Sequence, residues 1–142
     1  MPHSRHKLGR MTVTPLRVSE AAALVGVSDD TIRRWADAGR LQLTKADNGR
    51  LVVDGAELAA LVRELATESP LAPTSKASTR NRLTGIVTRI TKDTVMAQVE
   101  LQAGPFRIVS LISREALDEL GLEVGTIAAA SVKATSVGIS LP

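Results

Sequence analysis

The stretch Ser28-Asp29-Asp30-Thr31-Ile32-Arg33-Arg34-Trp35-Ala36-Asp37-Ala38-Gly39-Arg40-Leu41 encodes the start, the stop and the buried face of one helix. Ser28 is a favourable N-cap, and Asp29 and Asp30 put negative charge in the first turn, where the helix dipole stabilises it. Ile32, Trp35 and Ala36 fall on one face at i, i+3, i+4 spacing. Gly39 can take the left-handed conformation that ends a helix. Burying Ile32 and Trp35 leaves Thr31, Arg33 and Arg34 on the other faces.

Upstream, Leu16-Arg17-Val18 reads as a short extended entry. Ser19 is expected to cap a helix from Glu20 to Val25 that stops at Gly26. Only Val27 separates that stop from Ser28. Two short helices joined by a tight glycine turn form a helix-turn-helix. Downstream, Asn48-Gly49 lies between the β-prone runs Leu41–Lys45 and Arg50–Val53, a hairpin signal. Asp54 then opens a further helix, and Glu57 three residues on completes a capping-box pattern. The stripe of that helix is Leu58, Leu61, Val62 and Leu65. The order is helix, turn, helix, hairpin wing, helix.

Composition changes at Glu68-Ser-Pro-Leu-Ala-Pro-Thr-Ser-Lys-Ala-Ser78, where two prolines and small polar residues mark a linker. Beyond it the pattern alternates with β-branched residues. Strands are expected at Leu83–Ile90, Val95–Leu101, Phe106–Ile112, Thr126–Ala134 and Val137–Leu141. Lys92-Asp93 and Gly104-Pro105 supply turns, and Ser113 caps a short helix from Arg114 to Leu120 that Gly121 ends. The fold class predicted is α+β in two domains: an N-terminal winged helix-turn-helix (14–67) and a C-terminal five-stranded OB-like β-barrel (78–142), joined by a linker at 68–77.

Composition narrows the function. The 142 residues contain no cysteine, which rules out disulfides, thiolate chemistry and cysteine-ligated zinc. Trp35 and Phe106 are the only aromatics, so the cores rest on aliphatic residues. Met1–Arg10 is basic without the apolar stretch of a signal peptide, and no apolar run reaches membrane-spanning length. A cytoplasmic protein with no membrane association is therefore expected. His3 and His6 read as solvated residues, with no cation ligands among them. No Walker A loop, catalytic triad or paired carboxylate is visible, so the chain is not expected to be an enzyme.

Charge is unevenly placed. Between Thr31 and Arg50 the basic residues Arg33, Arg34, Arg40, Lys45 and Arg50 face only Asp37 and Asp47, whereas eight basic and seven acidic residues balance from Glu68 onward. A recognition helix needs free residues at its N-terminus, here Ser28 and Thr31, with cations beside them for phosphates. Arg33 has the fork to read a guanine, and Arg34 suits a phosphate. Arg40, Lys45 and Arg50 lie in and beside the wing. Double-stranded DNA is the partner this arrangement fits, against the plainer reading of a solvated helical face. The run from Leu16 to Leu41 also resembles the winged helix of MerR-type regulators, chiefly the small excisionase and BldC-like members. The resemblance covers about 14–66 and is most specific in Thr-Ile-Arg-Arg-Trp and Gly-Arg-Leu. MerR-type proteins usually dimerise through a long coiled-coil helix, and here the linker replaces that helix near Thr67.

In the second domain, Ser78-Thr79-Arg80-Asn81 and Val132-Lys133-Ala134-Thr135 join a cation to hydroxyls at strand ends. A tetrahedral oxyanion wants that inventory, though such residues are common at strand ends with no ligand at all. Ser-Thr-Arg-Asn-Arg-Leu-Thr-Gly-Ile-Val, Leu-Ile-Ser-Arg-Glu-Ala and Val-Lys-Ala-Thr-Ser-Val together resemble a Mop (molbindin, TOBE-type) domain across 78–141. The resemblance implies an OB-like barrel that binds molybdate, often tungstate too, between subunits or paired domains. It assigns Ser78, Arg80 and Asn81, with Thr79 beside them, to the first strand. Ser113 supplies a hydroxyl where family members often have Thr. Lys133 and Ala134 close the site, next to Thr135. Because one barrel is present, a homo-oligomer, dimer or hexamer, is expected. The functional expectation is a molybdate-responsive DNA-binding transcriptional regulator, the alternative a molybdate storage or buffering protein.

Overall fold

The computed structural model describes residues 15–72 and 76–142. The readings placed on Met1–Arg10, including His3 and His6, and on linker positions 73–75 lie outside the described residues. The chain divides into two compact units between Ala72 and Pro73.

The first unit contains β1 (Leu16–Arg17), α1 (Val18–Val25), α2 (Asp29–Asp37), β2 (Leu43–Lys45), β3 (Leu51–Val53) and α3 (Gly55–Glu68). β3 lies between β1 and β2, antiparallel to both, with Leu16 and Leu43 each opposite Val53. The helix-turn-helix and its wing stand as expected. Ser28 caps α2, its hydroxyl accepting from the Thr31 backbone N at 3.2 Å. Two caps differ. Helix α1 already begins at Val18, so Ser19 sits within its first turn and Arg17 occupies the N-cap without a side-chain cap bond. Pairing of Leu16-Arg17 with β3 fixes the extended entry and moves the start forward. Asp54 stands at the N-cap of α3, but its side chain makes no cap bond, so the capping box does not form. The core gathers Val18, Ala21, Ala22, Ile32, Leu41, Val53, Leu58 and Leu61, with half-buried Trp35 packed against it. Ile32 and Val53 are fully enclosed.

The second unit contains β4 (Asn81–Lys92), β5 (Met96–Ala103), β6 (Phe106–Ser113), α4 (Arg114–Leu120) and β7 (Ile127–Val132), then a 3-10 turn at Ala134–Ser136. The four strands form one antiparallel sheet in the order β6-β5-β4-β7. Strand β4 holds it together by changing partner: Asn81–Ile86 pairs with β7, and Ile86–Lys92 pairs with β5. A register shift between Val87 and Arg89 bends the strand at that exchange. The sheet therefore curls into a half-barrel over Val87, Ala97, Val99, Leu101 and Leu117.

The expected fifth strand does not form. Val137–Leu141 is unpaired, and Ile139 and Leu141 are 93% and 92% exposed. Alternation tells which face of a segment is apolar, but not which edge it will pair with. Strand β7 is also shorter than the expected Thr126–Ala134, because Lys133 leads directly into the 3-10 turn. At the β4–β5 turn the Asp93 carboxylate accepts from the backbone N–H groups of Met96 and Val95, both at 2.7 Å. Those bonds hold its pKa below the ordinary carboxylate value. Glu100, the buried charged residue of the sheet, is paired with Arg107.

Candidate functional site

In the first unit the N-terminus of α2 presents a linked polar row. Ser28 Oγ lies 3.1 Å from Thr31 Oγ1, which accepts from Arg34 Nη2 at 3.0 Å. Arg34 is thus braced over the first turn. Arg33 projects differently, 4.0 Å from Asp30 with half its side chain exposed. It lines a cleft of about 280 Å³ together with Arg50 of the wing, Arg17, Ser19 and Asp29. The fold so brings two predicted DNA residues, Arg33 and Arg50, to one place, and adds Arg17, which sequence reasoning missed. Arg17 Nε donates to Glu20 Oε1 at 2.7 Å, and this bond lowers the Glu20 pKa. Lys45 is exposed on β2 and makes no ion pair among the described residues. Arg40 does not join the cluster. It faces α3, 4.0 Å from Glu64 and 3.9 Å from Glu68, in exposed pairs of the kind that contribute little.

In the second unit an open groove of about 790 Å³ is lined by Lys76, Ser78, Thr79, Arg80, Arg82 and Ser131. No carboxylate among the described residues lines it. Lys76, Arg80 and Arg82 form no salt bridge among the described residues. The β4–β7 ladder positions it, with Asn81 opposite Val132 and Arg82 opposite Ser131. Asn81 Nδ2 donates to the Val132 carbonyl at 3.1 Å, so this amide fastens the end of the ladder. Ser78, Thr79 and Arg80 precede the ladder. Three cations with no salt bridge among the described residues, and hydroxyls alongside, supply the inventory that an oxyanion site would need.

The other predicted residues lie elsewhere. Lys133, Ala134 and Thr135 follow Val132 into the 3-10 turn, adjoining the groove's edge without lining it. Ser113 pairs with Met96 beyond the far end of β4, and its hydroxyl is taken by the Ala116 N–H at 3.0 Å. Within one chain it does not reach the groove. Lys76, Arg82 and Ser131 were missed by sequence reasoning. A signal existed for Arg82, since residues two apart on a strand share a face. Ser131 becomes visible only through the pairing.

Two binding modules are thus defined, a winged helix-turn-helix and a curled sheet of TOBE type. Residues 15–66 match a helix-turn-helix domain family, and residues 77–139 match the TOBE domain family. Molybdenum-pterin-binding protein 3 of Clostridium pasteurianum is 40% identical over 63 residues, which are 44% of this chain and 93% of that protein. Molybdenum-pterin-binding protein 2 of the same organism is 43% identical over the same shares. A molybdate-binding protein from Sporomusa ovata of known structure is 33% identical; its whole length aligns with 47% of this chain, at a TM-score of 0.45. Through its second domain the chain belongs to the family of the molybdenum-pterin-binding proteins, and it joins that domain to a helix-turn-helix.

Proposed function

We propose that the chain is a cytoplasmic, molybdate-responsive DNA-binding regulator, with a DNA domain at 14–67, a linker at 68–77 and an oxyanion domain at 78–142. The observation that carries this is a groove holding Arg80 and Arg82, with no carboxylate among the described residues that line it, in a domain whose relatives are molybdenum-pterin-binding proteins. The presence of a helix-turn-helix in the same chain gives such binding something to control. Ser78, Thr79 and Arg80, supported by Asn81, contact the dianion (molybdate or tungstate). Lys133, Ala134, Thr135 and Ser113 approach it only where copies associate. Neither module has a catalytic task in this reading. No helix among the described residues is long and apolar enough to cross a membrane.

The alternative is a molybdate storage or buffering protein, since the relatives are matched over 93% of their length by this one domain. Gel shifts of the full chain on upstream DNA fragments, with and without molybdate, separate the two. A sequence-selective shift that molybdate alters and sulfate does not supports regulation. Molybdate binding in calorimetry with no sequence-selective shift at moderate salt leaves storage.

A further inference from the structure

Three elements meet at the cleft of the first unit, and each brings a guanidinium. Arg33 comes from α2, Arg17 from β1 and Arg50 from the approach to β3. The wing ladder explains how the last two meet. Arg17 is opposite Val52, and Arg50 lies two residues along on the same face, a diagonal separation of about 7–8 Å. The turn of the wing fixes Arg50 at both backbone groups. Its N–H donates to Asn48 Oδ1 at 3.0 Å, and its carbonyl accepts from the Ala46 N–H at 2.8 Å. Arg50 makes no ion pair among the described residues.

Arg17 is braced from its own helix. Its Nε donates to Glu20 Oε1 at 2.7 Å, yet its side chain stays 56% exposed. That bond occupies one N–H of the guanidinium and leaves both terminal nitrogens to meet an acceptor from outside. Asp29 also lines the cleft, so three guanidiniums face one carboxylate there, with the Ser19 hydroxyl alongside. At about 280 Å³ the cleft is small, cationic and built from rigid backbone on two sides. One phosphate group suits it in size and charge.

We propose that Arg17 and Arg50 hold one backbone phosphate of duplex DNA between them, and that Glu20 is the positioning residue that aims Arg17 at it. Arg33 then reads the base edge beside the held phosphate. The inference rests on the DNA reading proposed above and adds to it a contact from β1, outside the recognition helix. Phosphate contacts set register rather than sequence, so Arg17 fixes where α2 stands along the groove. Glu20 gives the idea a sign that bulk electrostatics does not. A carboxylate near DNA repels it, whereas a carboxylate that aims an arginine strengthens binding.

The test uses the full-length chain on its cognate duplex, by fluorescence anisotropy over a salt series. Arg17→Ala is expected to weaken all duplexes roughly tenfold and to lower the salt slope by about one. Arg17→Lys is expected to restore the slope but not the affinity, because an ammonium lacks the fork. Duplexes carrying a single neutral methylphosphonate locate the contact. At one position the substitution should cost the unmodified chain as much as Arg17→Ala does, and cost that variant nothing more. Losses that add at every position overturn the phosphate contact. Glu20→Ala is expected to weaken binding several-fold although it removes negative charge, and tighter binding overturns the positioning role. A cycle of Arg17→Ala with Glu20→Gln checks that role even if Glu20→Ala unfolds the helix. Neutralising Glu20 should strengthen binding only where Arg17 is absent; equal strengthening in both backgrounds overturns it. An unmodified chain that binds no duplex rejects the DNA reading and this contact with it. Sequence-selective binding that Arg17→Ala matches rejects the contact alone.

Discussion

Arg33 and Lys45 are both exposed cations of the first domain, yet their surroundings differ. Arg33 leaves the recognition helix into a cleft shared with Arg17 and Arg50, whereas Lys45 is exposed on β2 outside that cleft. A planar fork held among neighbours suits base reading, and an exposed ammonium suits a phosphate. Arg33→Ala is therefore expected to cost about 1–3 kcal/mol of discrimination between cognate and altered duplexes. Lys45→Ala is expected to weaken all duplexes alike and to lower the salt slope by about one counterion. Fluorescence anisotropy over a salt series, on cognate and scrambled DNA, reads both effects. Uniform loss in Arg33→Ala would reject its base-reading role. At this scale the sequence was legible where the requirement is local. Ser28 meets its acceptor partner three residues away, and its cap was readable. Arg17 and Arg82 were not, because what marks them as candidates is the wing residue or β7 residue that folding brings to them.

Among the elements, β4 shows both what sequence patterning conveys and where it stops. The alternation over Leu83–Ile90 announced a strand, and the strand is there, but its partner exchange at Ile86 has no local signature. Gly85 marks that place. A β-carbon there would stand 2.2 Å from the Gln102 carbonyl oxygen and 2.7 Å from its carbon, both backbone atoms that cannot rotate away. Its backbone needs no left-handed conformation, so no turn pattern betrays it. Gly85→Ala must push β4 from β5 beside Ile86, the position where β4 is paired on both sides. A loss of about 1–3 kcal/mol is expected, as for overpacking elsewhere. Differential scanning calorimetry should show the second domain melting earlier and the first unchanged. The expected fifth strand failed for a related reason: its apolar alternation was readable, but alternation does not name an edge to pair with, and Val137–Leu141 forms no ladder among the described residues.

At the level of the whole molecule, the two units have separate cores, one around Ile32 and Val53 and the other around Val87. Among the described residues each core is built from its own unit's side chains, so damage to the groove of the second unit should leave the first folded. Ligand can then act on DNA affinity only through a difference in its own affinity between two states of the assembly. Arg80→Ala removes one of the three cations that line the groove among the described residues, where no carboxylate is left to release. The loss of a charge-assisted contact is expected to cost about 1.5–3 kcal/mol in molybdate binding, roughly ten- to hundredfold in Kd. DNA affinity without molybdate should stay at the unmodified level, while the response to molybdate shifts to proportionally higher concentration. Titration calorimetry with molybdate, tungstate and sulfate, beside anisotropy on the same preparations, measures both quantities. Arg82→Ala provides the comparison, since it lies on the same groove but was not implied by family resemblance. An equal loss in both variants assigns the charge to the groove as a whole. Unchanged molybdate affinity in both would place the oxyanion elsewhere in the domain, and with it the physical link between ligand and DNA.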